Sequence, residues 1–392
     1  MSKRDVGNLT GLGKPVRFCW LAISLIAVLA ACRADDAPAT AVFDAAPVLV
    51  WQKTMAGAPG TPVVVPGTDG EQVVIATETA VIALDTLTGQ ENWRVTPPDG
   101  VYPRSLVGGE TAVYVGAPGG LLALRTRDGQ TLWQTPIRGE VLWPPLLDGD
   151  ALYVGTAFVG PGILPNPAGR AWLYALEAAT GQPRWGVETA AYTLTTPAAA
   201  GDLVVSGGSL LSDADVEEGG MLRLHAFDRR SGALRWTADS PDGLLKSLAV
   251  DERHVYFLAY TDMLYALNRD NGAAAWRYPT ENWSPGFSYA AGTLYLGSDN
   301  GFLHAVDGMA GTAVWQSQLE GIFNAPRARP ALAGDWLIFQ GNDNRLYGLQ
   351  RATGAITWRT EPQPRSRMMV VVGNGRLFLV GQDNTLYAYG SP

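Results

Sequence analysis

The stretch "ALDTLTGQENW", Ala83 to Trp93, decides the architecture, because near copies return as "AFDRRSGALRW" from Ala226 and "AVDGMAGTAVW" from Ala305. The most regular element in it is a glycine followed four residues later by a tryptophan. Seven such pairs occur: Gly89/Trp93, Gly129/Trp133, Gly181/Trp185, Gly232/Trp236, Gly272/Trp276, Gly311/Trp315 and Gly354/Trp358. An eighth copy begins near the C-terminus as "NTLYAYG", Asn384 to Gly390, and stops before its tryptophan; the missing residue stands at the other end of the chain, as Trp51 in "VLVWQ". Measured from Trp51, the tryptophans advance by 42, 40, 52, 51, 40, 39 and 43 residues. Repeats of this length are the signature of propeller blades.

The unit around Gly311 shows what one repeat builds. It reads "FSYAAG", "TLYLGS", a turn "DNG", "FLHAVD", a turn with Gly311, then "AVWQSQ". That pattern predicts four short antiparallel strands, with Asn300-Gly301 as a two-residue hairpin whose central residues both take positive φ. The tryptophan falls on the outermost strand. Its recurrence predicts a structural wedge between blades, each ring burying roughly 150–250 Å². Trp51, Trp93, Trp133, Trp185, Trp236, Trp276, Trp315 and Trp358 are therefore expected to be structural. The fold class is all-β: an eight-bladed β-propeller with four-stranded antiparallel blades. Strands from both ends of the chain share one blade, which closes the ring and removes its free edges.

Composition is globular, with 392 residues of which 47% are hydrophobic, and the net charge is −8. Residues 1–31 hold four cations and one anion, so the rest of the chain stands near −11. Nucleic-acid binding, which rests on phosphate neutralisation, is not expected. The N-terminus carries Lys3, Arg4, Lys14 and Arg17, then the apolar run "FCWLAISLIAVLAA", too short to span a bilayer comfortably. The run closes on "LAAC", which resembles the lipobox of bacterial lipoproteins and implies cleavage before Cys32 and a lipid on its thiol. The alternative is ordinary secretion with cleavage near Ala31. Residues 1–31 are read as a signal peptide, 32–47 ("CRADDAPATAVFDAAP") as a flexible tether and 48–392 as the propeller. Cys19 lies in the removed segment, so no disulfide is expected in the mature chain.

The unit A-x-D-x-x-x-G-x-x-x-W resembles the tryptophan-docking motif of pyrroloquinoline-quinone propellers. Three repeats match it fully; the other four pairs keep glycine and tryptophan but place Arg125, Glu177, Asn268 and Gln350 where aspartate stands. The family includes quinoprotein dehydrogenases and non-enzymatic outer-membrane assembly lipoproteins of the BamB type. The order of signal, Cys32, short tether and eight units resembles the second. That resemblance implies a protein-binding scaffold without catalysis or cofactor, exported and lipid-anchored, facing the periplasm or the cell exterior. Its partners would be other extracytoplasmic or membrane proteins, and the propeller itself is expected to be monomeric. The competing reading is a quinoprotein-like dehydrogenase or small-ligand sensor using the channel mouth. The dehydrogenases hold pyrroloquinoline quinone against an adjacent-cysteine disulfide and on calcium, and this chain has no adjacent cysteines.

The residues themselves point to no other chemistry. His225 and His304 occupy the strand position of Tyr265 and Tyr387, a packing site, so a metal cluster is not expected there, and His254 stands alone. The acidic run "SDADVEEGG" lacks an EF-hand's order of ligands and reads as a solvated loop. The repeat aspartates read as caps of the turn before glycine.

Departures from the repeat mark candidate function. Two neighbouring blades carry insertions in equivalent loops, at 157–170 and 207–220, and such insertions often map to a binding face. The connections between blades enter the innermost strands and so ring the mouth of the central channel. They contain Arg104, Lys246, Arg327, Arg329, Arg365 and Arg367, with Tyr102, Trp143, Trp283, Phe287 and Phe323. Arginine with aromatic residues is the composition of binding hot spots. Arg104, Trp143, Lys246, Trp283, Phe287, Arg327, Arg329, Arg365 and Arg367 are the candidate partner-binding residues. The alternative for them is packing, with arginines stacked on neighbouring rings and capping loop carbonyls.

Overall fold

A computed structural model describes residues 43–158, 169–210, 221–240, 245–259, 263–282, 284–320, 325–366 and 368–392. These residues form eight antiparallel sheets; seven are built from strands consecutive in the chain, and one joins a strand from the N-terminal side to three from the C-terminal side. Blade 1 consists of Val63–Pro66, Glu71–Ala76, Val81–Asp85 and Glu91–Val95, from the channel outward. Blade 6 has the four strands its sequence predicts: Phe287–Ala290, Thr293–Gly297, Phe302–Asp307 and Ala313–Gln318. Second and third strands are buried on both faces, whereas outer strands such as Ala313–Gln318 alternate between exposed and half-buried. This is an eight-bladed propeller.

Two details differ from the expectation. Blade 4 gains a two-residue strand, Thr193–Leu194, against the far end of its long strand Leu203–Leu210. In the Asn300-Gly301 turn only Gly301 has positive φ, at 86°. Asn300 acts through its side chain, whose Oδ1 accepts from Ser298 Oγ at 2.5 Å and from the Phe302 amide at 3.2 Å. Two consecutive positive φ values do occur at Ala291-Gly292 and Asn374-Gly375, in the innermost hairpins of blades 6 and 8.

The buried apolar residues fall into eight clusters, one at each interface between adjacent blades, and each holds one motif tryptophan. The motif explains how an interface is made. The glycine and tryptophan of one repeat serve different interfaces, because each indole lies on the glycine of the next blade. A Cβ at Gly89, Gly129, Gly181, Gly232, Gly272, Gly311 or Gly354 would meet the preceding blade's indole at 2.4–2.7 Å. These glycines also have φ of 66–72°, which closes the turn into the outer strand. The motif aspartate caps that turn: Asp85 Oδ1 accepts from the Leu87 and Thr88 amides and from Thr88 Oγ1. The motif alanine faces the tryptophan across a register shift, as Ala83 faces Trp93, where a large side chain would collide with the ring. Blade 7 carries Gly348 there, and a Cβ on it would lie 2.0 Å from Trp358.

Each indole N–H then donates to a carbonyl at the next blade's turn. Trp51, Trp93, Trp133, Trp185, Trp236, Trp276 and Trp315 reach Thr86, Thr126, Ala178, Arg229, Arg269, Gly308 and Arg351 at 2.6–3.1 Å. Closure follows the same rule with a substitution. Val48–Thr54 is the outer strand of blade 8, paired with Thr385–Gly390 so that Trp51 faces Ala388 and Leu49 faces Tyr389. Blade 8 therefore lacks the turn that would receive Trp358. The Phe43 carbonyl takes its place at 2.6 Å, and the Phe43 ring is 1% exposed in the interface between blades 7 and 8. The packed chain thus reaches back to Phe43, which corrects the end of the tether at 47; the rest of that segment and the signal peptide lie outside the described residues.

The cross-blade contact is testable by double-mutant cycles. Trp236→Ala should cost about 3–5 kcal/mol. Gly272→Ala should destabilise strongly alone, but less in the Trp236→Ala background, because the methyl then has space. Gly232→Ala, in the same repeat as Trp236, should be additive with it. Denaturant titration reads all five variants, and coupling to Gly232 instead of Gly272 would refute the assignment. Phe43→Ala should likewise lower stability by about 3–5 kcal/mol, which a flexible tether residue would not do.

Candidate functional site

The connections between blades seat on the ends of the second strands, on the side where second and third strands join. Tyr102 N donates to Gly116 O, Lys246 N to Leu258 O, and Arg327 N to Gln340 O. The inter-blade connections and the second-to-third turns therefore share one face. On that face a cleft of about 380 Å³ opens, lined in part by Arg104, Arg327 and Arg365. These arginines come from the connections entering blades 2, 7 and 8.

Each arginine is placed by a different device. Arg104 stands in the 3₁₀ turn Pro103–Ser105, the one helical element among the described residues. Ser105 Oγ ties that turn down, accepting from the Gly116 amide and donating to the Tyr102 carbonyl, both at 2.7 Å. A Cβ at Gly60 would sit 1.9 Å from the Pro103 carbonyl, so the turn rests directly on that backbone. Arg365 is set by buried Gln340. Its Nε2 donates to the Pro364 carbonyl at 2.9 Å and its Oε1 accepts from the Ser366 amide at 2.7 Å, which fixes the backbone on both sides of Arg365. Arg327 is half-buried and donates to the Gly341 and Asn342 carbonyls at 3.1 and 2.8 Å and to Asn344 Oδ1 at 3.2 Å. Burial, and next the charge of Arg365, lower its pKa. Arg104 and Arg365 are exposed, and neither has an ion-pair partner among the described residues.

Asp299, Asn342 and Gln382 complete much of the lining. Sequence reading missed them, although a signal existed. Each stands five residues before the third-strand aromatic of its blade, His304, Tyr347 or Tyr387. Gln340 gave no comparable sign, because a buried amide at a strand end reads as any polar residue.

The other expected mouth residues are placed differently. Lys246 Nζ donates to the Ser284 carbonyl at 2.8 Å, on the connection entering blade 6, and the Arg329 Cβ lies beside Gly286 of the same connection; neither residue lines the cleft. Trp143 is 39% exposed on the connection entering blade 3 and does not line the cleft. Phe287 is corrected: it is 2% exposed, the first residue of blade 6's innermost strand, and its ring enters the interface between blades 5 and 6. Tyr102 donates to Glu140 at 2.7 Å, and burial with that carboxylate raises its pKa. Cys32, Trp283, Arg367 and Phe323 lie outside the described residues, as do the central parts of the two inserted loops.

The histidines do not form a centre. Burial lowers the pKa of His225 to about 4, and its ring stacks on Phe227. His304 Nδ1 lies 2.9 Å from the Tyr278 hydroxyl, within a blade interface. Among the described residues no group of three or more His, Cys, Asp or Glu could hold a metal ion. A pyrroloquinoline quinone is a flat aromatic tricarboxylate. The arginines suit its carboxylates, but no described lining residue of the cleft offers a ring to stack on it, and Asp299 is the one carboxylate there for calcium. The lining does not fit that cofactor.

Tryptophan-docked repeats, eight blades and closure by both chain ends define a propeller of the pyrroloquinoline-quinone-like repeat class. The family model described as outer membrane protein assembly factor BamB matches residues 40–138, 170–319 and 299–391, and the chain belongs to that family. An outer membrane protein assembly factor BamB from Yersinia pestis is 24% identical over 345 residues, 83% of each chain. The crystal structure of BamB from Moraxella catarrhalis superposes with a TM-score of 0.62 at 19% identity, covering 88% of this chain and 99% of that one. The quinohemoprotein alcohol dehydrogenase of Comamonas testosteroni gives 0.61 at 17%, covering 92% and 79%. The two structural likenesses establish the fold and no activity.

Arg327 and Arg104 should respond differently to truncation. Arg327→Ala removes a charged donor from two carbonyls and should cost about 1.5–3 kcal/mol. Arg104→Ala should stay within about 0.5 kcal/mol of the parent. Equal losses in denaturant midpoint would contradict the placement.

Proposed function

We propose that this protein is a non-enzymatic scaffold in the assembly of outer-membrane proteins, exported and held to the membrane by a lipid on Cys32. Its cleft face is the docking face for partner proteins. Arg104, Arg327 and Arg365 contribute to docking from the cleft, and Lys246, Arg329 and Trp143 from the surrounding rim. Trp283 and Arg367 are assigned to the same rim on their sequence position alone. The observation that carries this reading is the family membership over nearly the whole propeller. What supports the choice of face is that arginines from three separate connections meet there on a chain of net charge −8. Like charges gathered in a protein of opposite net charge are neutralised most readily by a partner.

Membrane fractionation and outer-membrane composition test this in the native host. Cys32→Ser should move the protein out of the membrane fraction or block its processing. Loss of the protein should lower the level of folded outer-membrane β-barrels, and the Cys32→Ser variant should restore it poorly. Unchanged fractionation and mature mass would overturn the anchor. Unchanged barrel levels in cells lacking the protein would overturn the assembly role.

A further inference from the structure

We infer that the Arg104–Arg327–Arg365 cleft is an oxyanion-binding site that takes the side-chain carboxylates of an extended acidic segment of a partner protein. The inference rests on the docking reading above and specifies the chemistry of its central site.

Three features make the cleft a built site rather than a chance meeting of side chains. The first is rigidity. Arg104 is carried on a turn locked by Ser105 and packed on Gly60, and the backbone at Arg365 is held on both sides by the buried Gln340 amide. Guanidiniums on fixed backbone lose less freedom on binding than those on mobile loops. The second is unspent charge. The polar groups that hold Arg327 are two carbonyls and an amide oxygen, and Arg104 and Arg365 have no carboxylate at ion-pair distance among the described residues. Other arginines of the propeller do meet carboxylates, as in Arg184–Asp150, Arg223–Asp239 and Arg359–Glu320. The third is proximity: the charge of Arg365 depresses the pKa of Arg327, so the two guanidiniums repel and an anion between them relieves the repulsion.

The remaining lining selects the kind of anion. Asp299, Asn342 and Gln382 add a carboxylate and two amides to the arginines. Phosphate offers acceptors alone and is repelled by Asp299. A peptide brings carboxylates for the arginines together with backbone N–H and C=O groups, which suit a lining of mixed donors and acceptors. The volume of about 380 Å³ lies at the small end of ligand sites and accommodates a few residues of extended chain. The cleft is also at the mouth, where a strand or tail can reach it without the ring opening.

Fluorescence anisotropy on the purified propeller tests this with a labelled peptide of alternating glutamate and serine. Competitors are the same peptide with glutamine for glutamate, and inorganic pyrophosphate. The acidic peptide should bind with an affinity that falls steeply with salt. Arg104→Gln/Arg365→Gln should weaken it at least tenfold and flatten the salt dependence, while the thermal midpoint stays unchanged or rises. Arg365→Glu alone gives a second variant with the same expected direction. Equal binding by parent and double variant, or by acidic and glutamine peptides, would overturn the site. Displacement by pyrophosphate at lower concentration than by the unlabelled acidic peptide would overturn the peptide assignment. These outcomes are separable from the assembly role. Barrel levels falling in cells while the peptide fails to bind would refute the cleft and leave the scaffold standing.

Discussion

Everything in this propeller depends on an indole lying flat on a glycine one blade away. Tryptophan suits the task because it combines a large apolar face with one donor at its edge. The face covers a glycine whose turn leaves no space for a Cβ, and the N–H finds a carbonyl of the same turn. Shape and hydrogen bond together fix both the spacing and the angle between blades. Among the described residues no apolar cluster sits at the centre of the ring. Burial is divided among eight interfaces, and each is completed only by the neighbour. That division makes closure a strict condition, and the chain meets it twice at blade 8. Val48–Thr54 supplies the missing strand, and Phe43 supplies the missing carbonyl and an extra buried ring.

Because the outer strands and the interfaces hold the ring, the residues at the channel mouth are released from packing. Arg327 still shares in it, by binding the carbonyls of the neighbouring turn. Arg104 and Arg365 do not, and they project into solvent from backbone that is itself well tied. A firm backbone carrying side chains with no internal duty is the arrangement expected of a recognition surface. Blade 4 departs from the common plan on the same face, where its lengthened hairpin recruits the extra strand Thr193–Leu194.

The mouth was only partly legible beforehand. That basic residues concentrate in the connections could be read directly, and three of them do converge on one cleft. Which three could not be read. Arg329 and Lys246 are equally basic and equally placed in connections, yet neither lines the cleft, and Lys246 is held by the Ser284 carbonyl of the segment entering blade 6. Phe287 begins the innermost strand of its blade, as the repeat pattern predicts, but its ring turns into the interface between blades instead of toward the mouth. Side chains in irregular connections follow no period, so their direction is set by whichever carbonyl or amide stands opposite.

The sequence by itself determined the number of blades, their four strands, the structural role of the tryptophans and the closure through Trp51. Those features repeat at nearly constant spacing, and each arises from contacts within a unit or with the next one. Only the tertiary structure decided that Phe43 replaces the eighth turn, that Gln340 fixes Arg365, and that Arg104 meets Arg327 and Arg365. Those relations join residues whose offsets along the chain do not recur. They come into being when the closed ring brings separate connections to a single mouth, and no local pattern along the chain encodes where eight units converge.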